Sequence, residues 1–550
     1  MHRLSRLVPL ALAAALLAPA AADAKKPPKQ MKTYLVGMAA RSVNLDPNGT
    51  YAGKPVYLGG YGLGNGRVGD SFAGVENPGP KPADNDLAYD DGRAATGNLA
   101  DGIHVRAAVI STGKAKENYA IADIENQGCF VQNKQGYGLV TMRKQVEERT
   151  KGALPADHVN IQCDHSHGGP DLIGAWGGVP AEYLAFVQKQ TVEAIVAAFQ
   201  SQRPARLWYG TAQSGVEGRD KLPEDKSDPL LTNQMLNDPT AANDVMDDEL
   251  RVLQARDPKT GEPFATVLNL NAHPTVLGSS NTKASGDWPQ FANTLMSQDA
   301  ESFGGEAMTV VGTLGRQQPA RGGCPDKALA AKGDSDPQEA ICKLTQYAGR
   351  VLARAKVALA AAQPLDAKPE VVAKTYLIQD PADNAGILAL NDVGELGGAP
   401  IMRSNTPPWR TGTIVGTVTG SARIGNVLLS SMPGEAYPQI PLAVRDALKG
   451  SAIKGFMTAG LSNDQLGYII ANLPDSYPQV LIRGAQGNDN ILFNMSQTLG
   501  ERLTCSLLRG AGEVTGKGSQ YRDADSKCTA FANDLVWPEG ADTGTFPVLG

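Results

Sequence analysis

The chemistry-bearing residues of this chain concentrate in a few short blocks. Asp164-His165-Ser166-His167-Gly168-Gly169-Pro170 sets two imidazoles one residue apart, directly after the run Val159-Asn160-Ile161-Gln162-Cys163. The chain has six histidines, and His2 lies in a segment that reads as removable, so the pair uses two of the remaining five. Imidazole is the commonest metal ligand and the side chain that exchanges protons near neutral pH. A metal or acid/base role is therefore favoured over a hydrogen-bonded structural pair. His273 follows Phe264-Ala265-Thr266-Val267-Leu268-Asn269-Leu270 in the same manner, with Pro274 behind it, and Glu435 in Met432-Pro433-Gly434-Glu435 follows the run Val427 to Leu429. Alone, His273 reads as a satisfied core histidine and Glu435 as a first-turn carboxylate answering a helix dipole. Three such groups at the ends of three apolar runs suit a zinc centre, which does chemistry with three protein ligands and one open position. The two histidine-bearing strands could share one metal if they lie close in the sheet. Gly-x-Ser-x-Gly and His-Glu-x-x-His are both absent, which disfavours a serine nucleophile elbow and a helical zinc motif.

The elements that must position these groups alternate between strand and helix patterns, which predicts an α/β architecture. Strands are expected from Thr33 to Met38, Val105 to Ile110, Tyr119 to Ile124, Val159 to Cys163, Ala205 to Thr211 and Glu249 to Ala255. Helices are expected over Leu139 to Lys151 and Pro180 to Gln202, the latter with Leu184, Val187, Val192, Ile195 and Phe199 at helical spacing and Pro180 in its first turn. Asp220 to Asp248 reads as a polar excursion or lid, and Ala358 to Lys368 as a subdomain boundary. Gly64-Asn65-Gly66-Arg67-Val68-Gly69 matches a dinucleotide fingerprint in form only, since no apolar strand precedes it; it reads as a loop.

Length and composition bound the class. At 550 residues the chain can bury a large core. Residues 1–24, with Arg3 and Arg6 before an apolar run and Ala22-Asp23-Ala24 after it, read as a cleavable secretory signal, and residues 25–32 as a solvated linker. No later stretch is long enough to span a bilayer. Six cysteines suit an oxidising compartment. Cys324 with Cys342 and Cys505 with Cys528 are the local pairs; Cys129 and Cys163 form the third pair or remain buried thiols. The net charge of −6 becomes −7 when Arg3, Arg6 and Asp23 leave with the signal, which disfavours nucleic acid as a partner.

The blocks His165-Ser166-His167-Gly168-Gly169-Pro170, Asn271-Ala272-His273-Pro274-Thr275, Pro433-Gly434-Glu435 and Leu461-Ser462-Asn463-Asp464-Gln465-Leu466-Gly467-Tyr468 occur in the order found in the neutral/alkaline ceramidases. The chain resembles that family from about residue 34 to near its end, including Gly37-Met38-Ala39-Ala40 and Leu58-Gly59-Gly60-Tyr61. The resemblance implies a ceramidase-type catalytic domain over residues 33–550, with mixed β-sheets layered with helices and one Zn2+ per chain. By position it implies His165, His273, Glu435 and Tyr468 as ligands, and His167 beside the attacking water and the scissile carbonyl. It also implies Arg219 as a hold on a polar substrate group, with a plain surface arginine as the other reading. Asp287, in Ser285-Gly286-Asp287, becomes a supporting residue behind the ligands. Zinc would acidify the water and polarise the carbonyl while an imidazole exchanges a proton with water or leaving amine.

The departures bear on substrate. Gly315-Arg316-Gln317-Gln318-Pro319-Ala320 stands where the family has Gly-Asp-x-Ser-Pro-Asn, so Gln318 replaces an active-site serine; the Cys324–Cys342 pairing just after agrees with a family disulfide. An obligatory serine nucleophile would leave this chain inactive. Attack by water leaves hydrolysis intact with an altered headgroup preference, and the intact ligand set favours that reading. Pro474-Asp475-Ser476-Tyr477 replaces a family Glu-Glu-Tyr block, and Tyr477 could donate to an oxyanion. Only 82 residues follow Tyr468, so the family's C-terminal immunoglobulin-like domain is expected to be missing. The sequence thus predicts a secreted or periplasmic zinc amidohydrolase that cleaves an N-acyl amide of ceramide type, with at most peripheral membrane contact. An amidase or esterase on a smaller soluble acyl substrate, and a silent zinc-binding protein, remain open.

Overall fold

Strands with apolar residues on both faces belong in the middle of a layered structure, because each face needs a covering layer. The computed structural model describes residues 33–61, 93–131, 136–217, 229–233, 245–365, 368–384, 387, 401–403, 413–473 and 493–531. The signal, the linker, the Gly64–Gly69 loop, Arg219 and Tyr477 lie outside them.

The expected strands form as β1 (Tyr34–Ser42), β2 (His104–Ser111), β3 (Asn118–Ile124), β4 (Val159–Cys163), β5 (Arg203–Gln213), β6 (Glu249–Arg256) and β7 (Pro263–Leu270); β8 (Glu306–Val311) joins them. Among the described residues they make one mixed sheet in the order β8-β7-β6-β5-β1-β2-β3-β4, with Gln363–Pro364 added beside β5. Val105, Ala107 and Val109 of β2 turn to a helix-covered core, and Ala108 and Ile110 turn to the opposite core. Helices α1 (Leu139–Arg149) and α2 (Ala181–Gln200) cover one half of the first face; α3 (Asp287–Gln298) and α4 (Pro337–Ala361) cover the other. Pro180 stands at the N-cap of α2, where its missing N–H forfeits no helical bond. Each buried Val, Leu or Ile side chain contributes about 1.5–3 kcal/mol.

The opposite face packs on a second sheet, in which β9 (Val371–Pro381), β10 (Thr413–Ile424), β11 (Val427–Ser431) and β12 (Gly455–Ala459) pair in that order. Val427 and Leu429 of β11 face the first sheet, while Leu428 faces α5 (Gln439–Ala447) and α6 (Leu499–Val514). The result is a helix–sheet–sheet–helix sandwich. The expected boundary at Ala358 to Lys368 falls between the strands of the first sheet and those of the second, and the described residues form one compact unit. Within the stretch expected as a lid, Leu231–Asn233 pairs with Gln317–Pro319.

All three cysteine pairs are disulfides, Cys129–Cys163 included, so the alternative of buried thiols does not hold. Cys163 closes β4 and Cys129 lies in the loop after β3, and the parallel register Ile124↔Cys163 brings the two segments together.

Candidate metal centre

His165 and His273 emerge from strands that are not neighbours: β4 is one edge of the first sheet and β7 lies next to the other edge. The expected route to a shared metal, strands lying close in the sheet order, is replaced by a different geometry. The sheet bends until its two edges approach, and Gly460 to Asn463, leaving β12, joins them. Gly460 N–H donates to Val311 at 3.0 Å, Cys163 N–H to Leu461 at 3.3 Å, and Asn463 N–H to Ile161 at 2.7 Å. The Gln162 side-chain amide adds a bond to the Val311 carbonyl. Leu461 and Asn463 adopt positive φ to do this, as do His165 (φ 68), Asp287 (φ 52) and Arg316 (φ 67). Non-glycine residues held in that region cost on the order of 1–3 kcal/mol each and cluster at functional sites.

Glu435 comes from the second sheet. Beyond β11 the chain makes a two-residue strand, Glu435–Ala436, that pairs in parallel with Tyr468–Ile469, so Glu435 and Tyr468 share a register position. Glu435 N–H donates to Gly467 at 2.8 Å. Glu435 is therefore a strand residue, and no helix dipole explains it.

The ligand atoms of His165, His273 and Glu435 lie within 4.8 Å of one another, all three residues being buried. His273 Nε2 is 2.8 Å from Glu435 Oε2, and His165 Nε2 is 3.5 Å from Oε1. Each imidazole is anchored from behind: His165 Nδ1 donates to the Gln127 carbonyl and His273 Nδ1 to the Gln317 carbonyl, both at 2.9 Å. Those bonds fix each ring so that its Nε2 faces the Glu435 carboxylate. Two imidazoles and a carboxylate converging in a buried site form a group that could hold a metal ion, and two histidines and a glutamate suit zinc better than magnesium or calcium. Burial alone would raise Glu435, but the two imidazoles hold its carboxyl well below the usual range. Burial works to lower His165, and the Glu435 charge outweighs it, raising the imidazole above its ordinary value.

His167 stands over this group, its Nε2 3.4 Å from that of His165 and its ring 6.1 Å from that of His273. Burial, then the neighbouring imidazoles, push it well below its ordinary value and keep it neutral. The Tyr468 ring lies 6.3 Å from that of His273. Gln318 is one residue beyond the carbonyl that anchors His273; its Oε1 accepts from Thr275 Oγ1 at 2.6 Å, on the loop that follows the histidine. Asp287 stands apart from the three ligand atoms. Its oxygens accept from the N–H groups of Val276, Leu277 and Trp288 at 2.9, 3.0 and 2.7 Å, and Trp288 Nε1 donates to the His273 carbonyl at 3.1 Å. It clamps the loop that carries His273. Burial raises it to about 6.

Sequence reasoning did not single out Gln127 and Gln317, which act through backbone carbonyls that no side-chain pattern reveals. It also passed over Arg93, whose guanidinium bonds the carbonyls of Gly59, His167, Ser279 and Asn281.

No protein-family model matches the chain, and no curated protein matches it. Its fold is similar to the crystal structure of neutral ceramidase from Pseudomonas aeruginosa, with a TM-score of 0.61 at 15% identity over 88% of this chain and 75% of that one. A ceramidase complexed with C2 matches with the same TM-score at 14% identity, over 88% and 76%. The chain has the neutral-ceramidase fold, the mixed sheets layered with helices that its sequence blocks implied.

Proposed function

We propose that this chain is an exported zinc-dependent hydrolase that cleaves an N-acyl amide of ceramide type, releasing a fatty acid and an amine. The convergence of the two Nε2 atoms on Glu435 carries the reading, and the fold it shares with ceramidases supports it. His165, His273 and Glu435 would hold the metal, with Tyr468 as the fourth ligand. When bound, zinc supplies a Lewis acid for the amide carbonyl and lowers the pKa of water.

The remaining work falls to the chain's own residues. The Gln127 and Gln317 carbonyls fix both imidazoles, so little reorganisation is needed at the moment of reaction. His167 takes a proton from the attacking water and returns one to the departing amine nitrogen as the C–N bond breaks. Gln318, tied to Thr275, contacts the substrate, with Arg219 and Tyr477 as further polar contacts. The disulfides and the apolar N-terminal run support an oxidising, extracytoplasmic location.

The test is fatty-acid release from a panel of N-acyl amides, ceramide included, by zinc-loaded wild type and His165→Ala. Turnover by the wild type that disappears in the variant is the expected result. Inactivity of a zinc-loaded wild type on every amide would overturn it in favour of a silent zinc protein.

A further inference from the structure

Two guanidinium groups reach one aromatic ring beside His167. The Tyr61 ring meets the His167 imidazole edge-on, with centroids 4.7 Å apart. Arg93 Cζ sits 5.3 Å from the centre of the Tyr61 ring, and Arg321 Nη2 lies 3.5 Å from the Tyr61 hydroxyl. That hydroxyl donates to the Leu277 carbonyl at 2.5 Å, and burial raises Tyr61 to about 12, so the phenol is neutral and offsets neither cation.

Among the described residues no carboxylate pairs with either arginine. The Arg93 terminal nitrogens bond four carbonyls, and its Nε is buried without a partner. Burial lowers Arg93 to about 10, which leaves it charged at neutral pH. The two carboxylates whose charge reaches Tyr61 are engaged elsewhere: Asp287 by three backbone N–H groups, and Asp334 by Gly278 N–H and by Lys343, each at 2.6 Å. Asp287 reaches Arg321 only through its field, and among the described residues neither guanidinium has a carboxylate bonded to it, so beside His167 the two cations call for an anion from outside.

Resting on the reading of the chain as an N-acyl amide hydrolase, we infer that the wall formed by Tyr61, Arg93 and Arg321 receives an anionic group on the amine half of the substrate. The acyl half is hydrocarbon beyond its carbonyl, so the charge belongs to the amine. The favoured class is therefore an N-acyl amino acid or a phosphorylated N-acyl amino alcohol rather than a neutral ceramide. The guanidinium face of Arg321, exposed to solvent, meets the anion with charge-assisted hydrogen bonds; Arg93, fixed to four carbonyls, adds field.

The experiment compares N-dodecanoylglycine, ceramide phosphate, ceramide and N-dodecanoylethanolamine with wild type, Arg321→Ala and Arg321→Lys, by turnover and by titration calorimetry. Wild type should prefer the anionic members, and Arg321→Ala should cut the anionic-to-neutral ratio, in KM and in binding, by about tenfold, the worth of one hydrogen bond to a charged group. Arg321→Lys should restore most of it. The carboxylate and phosphate arms tell which anion is preferred. Equal handling of anionic and neutral members by wild type, or an unchanged ratio in Arg321→Ala, overturns the inference. Selective anion binding without turnover of any amide would reject the hydrolase reading and leave the anion wall standing.

Discussion

His273 and Glu435 come from different sheets, 162 positions apart, and meet with Nε2 and Oε2 separated by 2.8 Å in a buried site. As a proposed metal ligand Glu435 supplies charge as well as shape, so removing the carboxylate charge while keeping its shape should release the metal. Glu435→Gln is expected to lower zinc from about one per chain to near zero and to reduce kcat/KM by more than about 100-fold, since even outer partners of metal ligands are worth about 10–100-fold. Elemental analysis of purified protein together with fatty-acid release checks both. A variant that keeps full zinc and full turnover would remove Glu435 from the site.

Gly60 controls the position of His167. Its φ is +93°, where a side chain is strained, and a Cβ there would sit 2.4 Å from His167 Cγ. Gly60→Ala should push the imidazole off its place over His165 while leaving the three ligands alone. The expected result is a fall in kcat of about 100-fold, the scale of a 1 Å misplacement, at unchanged zinc content. Unchanged kcat would mean that His167 transfers no proton.

Asp464 should make stability fall as pH rises. Its carboxyl is fully buried, with Oδ1 accepting from Val131 N–H at 3.0 Å and Gln465 N–H at 2.9 Å, and Oδ2 accepting from Thr417 Oγ1 at 2.7 Å. Burial pushes it up to about 7. Between the unfolded value near 4 and about 7 the native state holds a proton that the unfolded state has released. Stability is therefore greatest below that window and is lost as pH climbs through it, by on the order of 2–4 kcal/mol. Asp464→Asn mimics the protonated form, so its Tm relative to wild type should rise between pH 5 and pH 8. A parallel pair of Tm-against-pH curves would show that Asp464 ionises at its ordinary pKa.

The sequence by itself determined the elements and the chemistry-bearing positions. The strand through Val159–Cys163 was legible because its apolar, β-branched residues alternate with polar ones, the strand through Pro263–Leu270 because it is an apolar run, and the helix over Ala181–Gln200 because its apolar residues recur at helical spacing. His165, His273 and Glu435 were legible because each follows such a run. The tertiary structure alone decided how they meet. Two strands far apart in one sheet deliver the histidines, and only the bend of that sheet, locked by Gly460 to Asn463 across its edges, brings the two rings together. The carbonyls that orient the rings and the glycine that seats His167 are backbone features with no side-chain signature. The Arg93 and Arg321 pair around Tyr61 was hidden for the same reason: separations of 32 and 260 residues in the sequence become one wall only when the chain has folded.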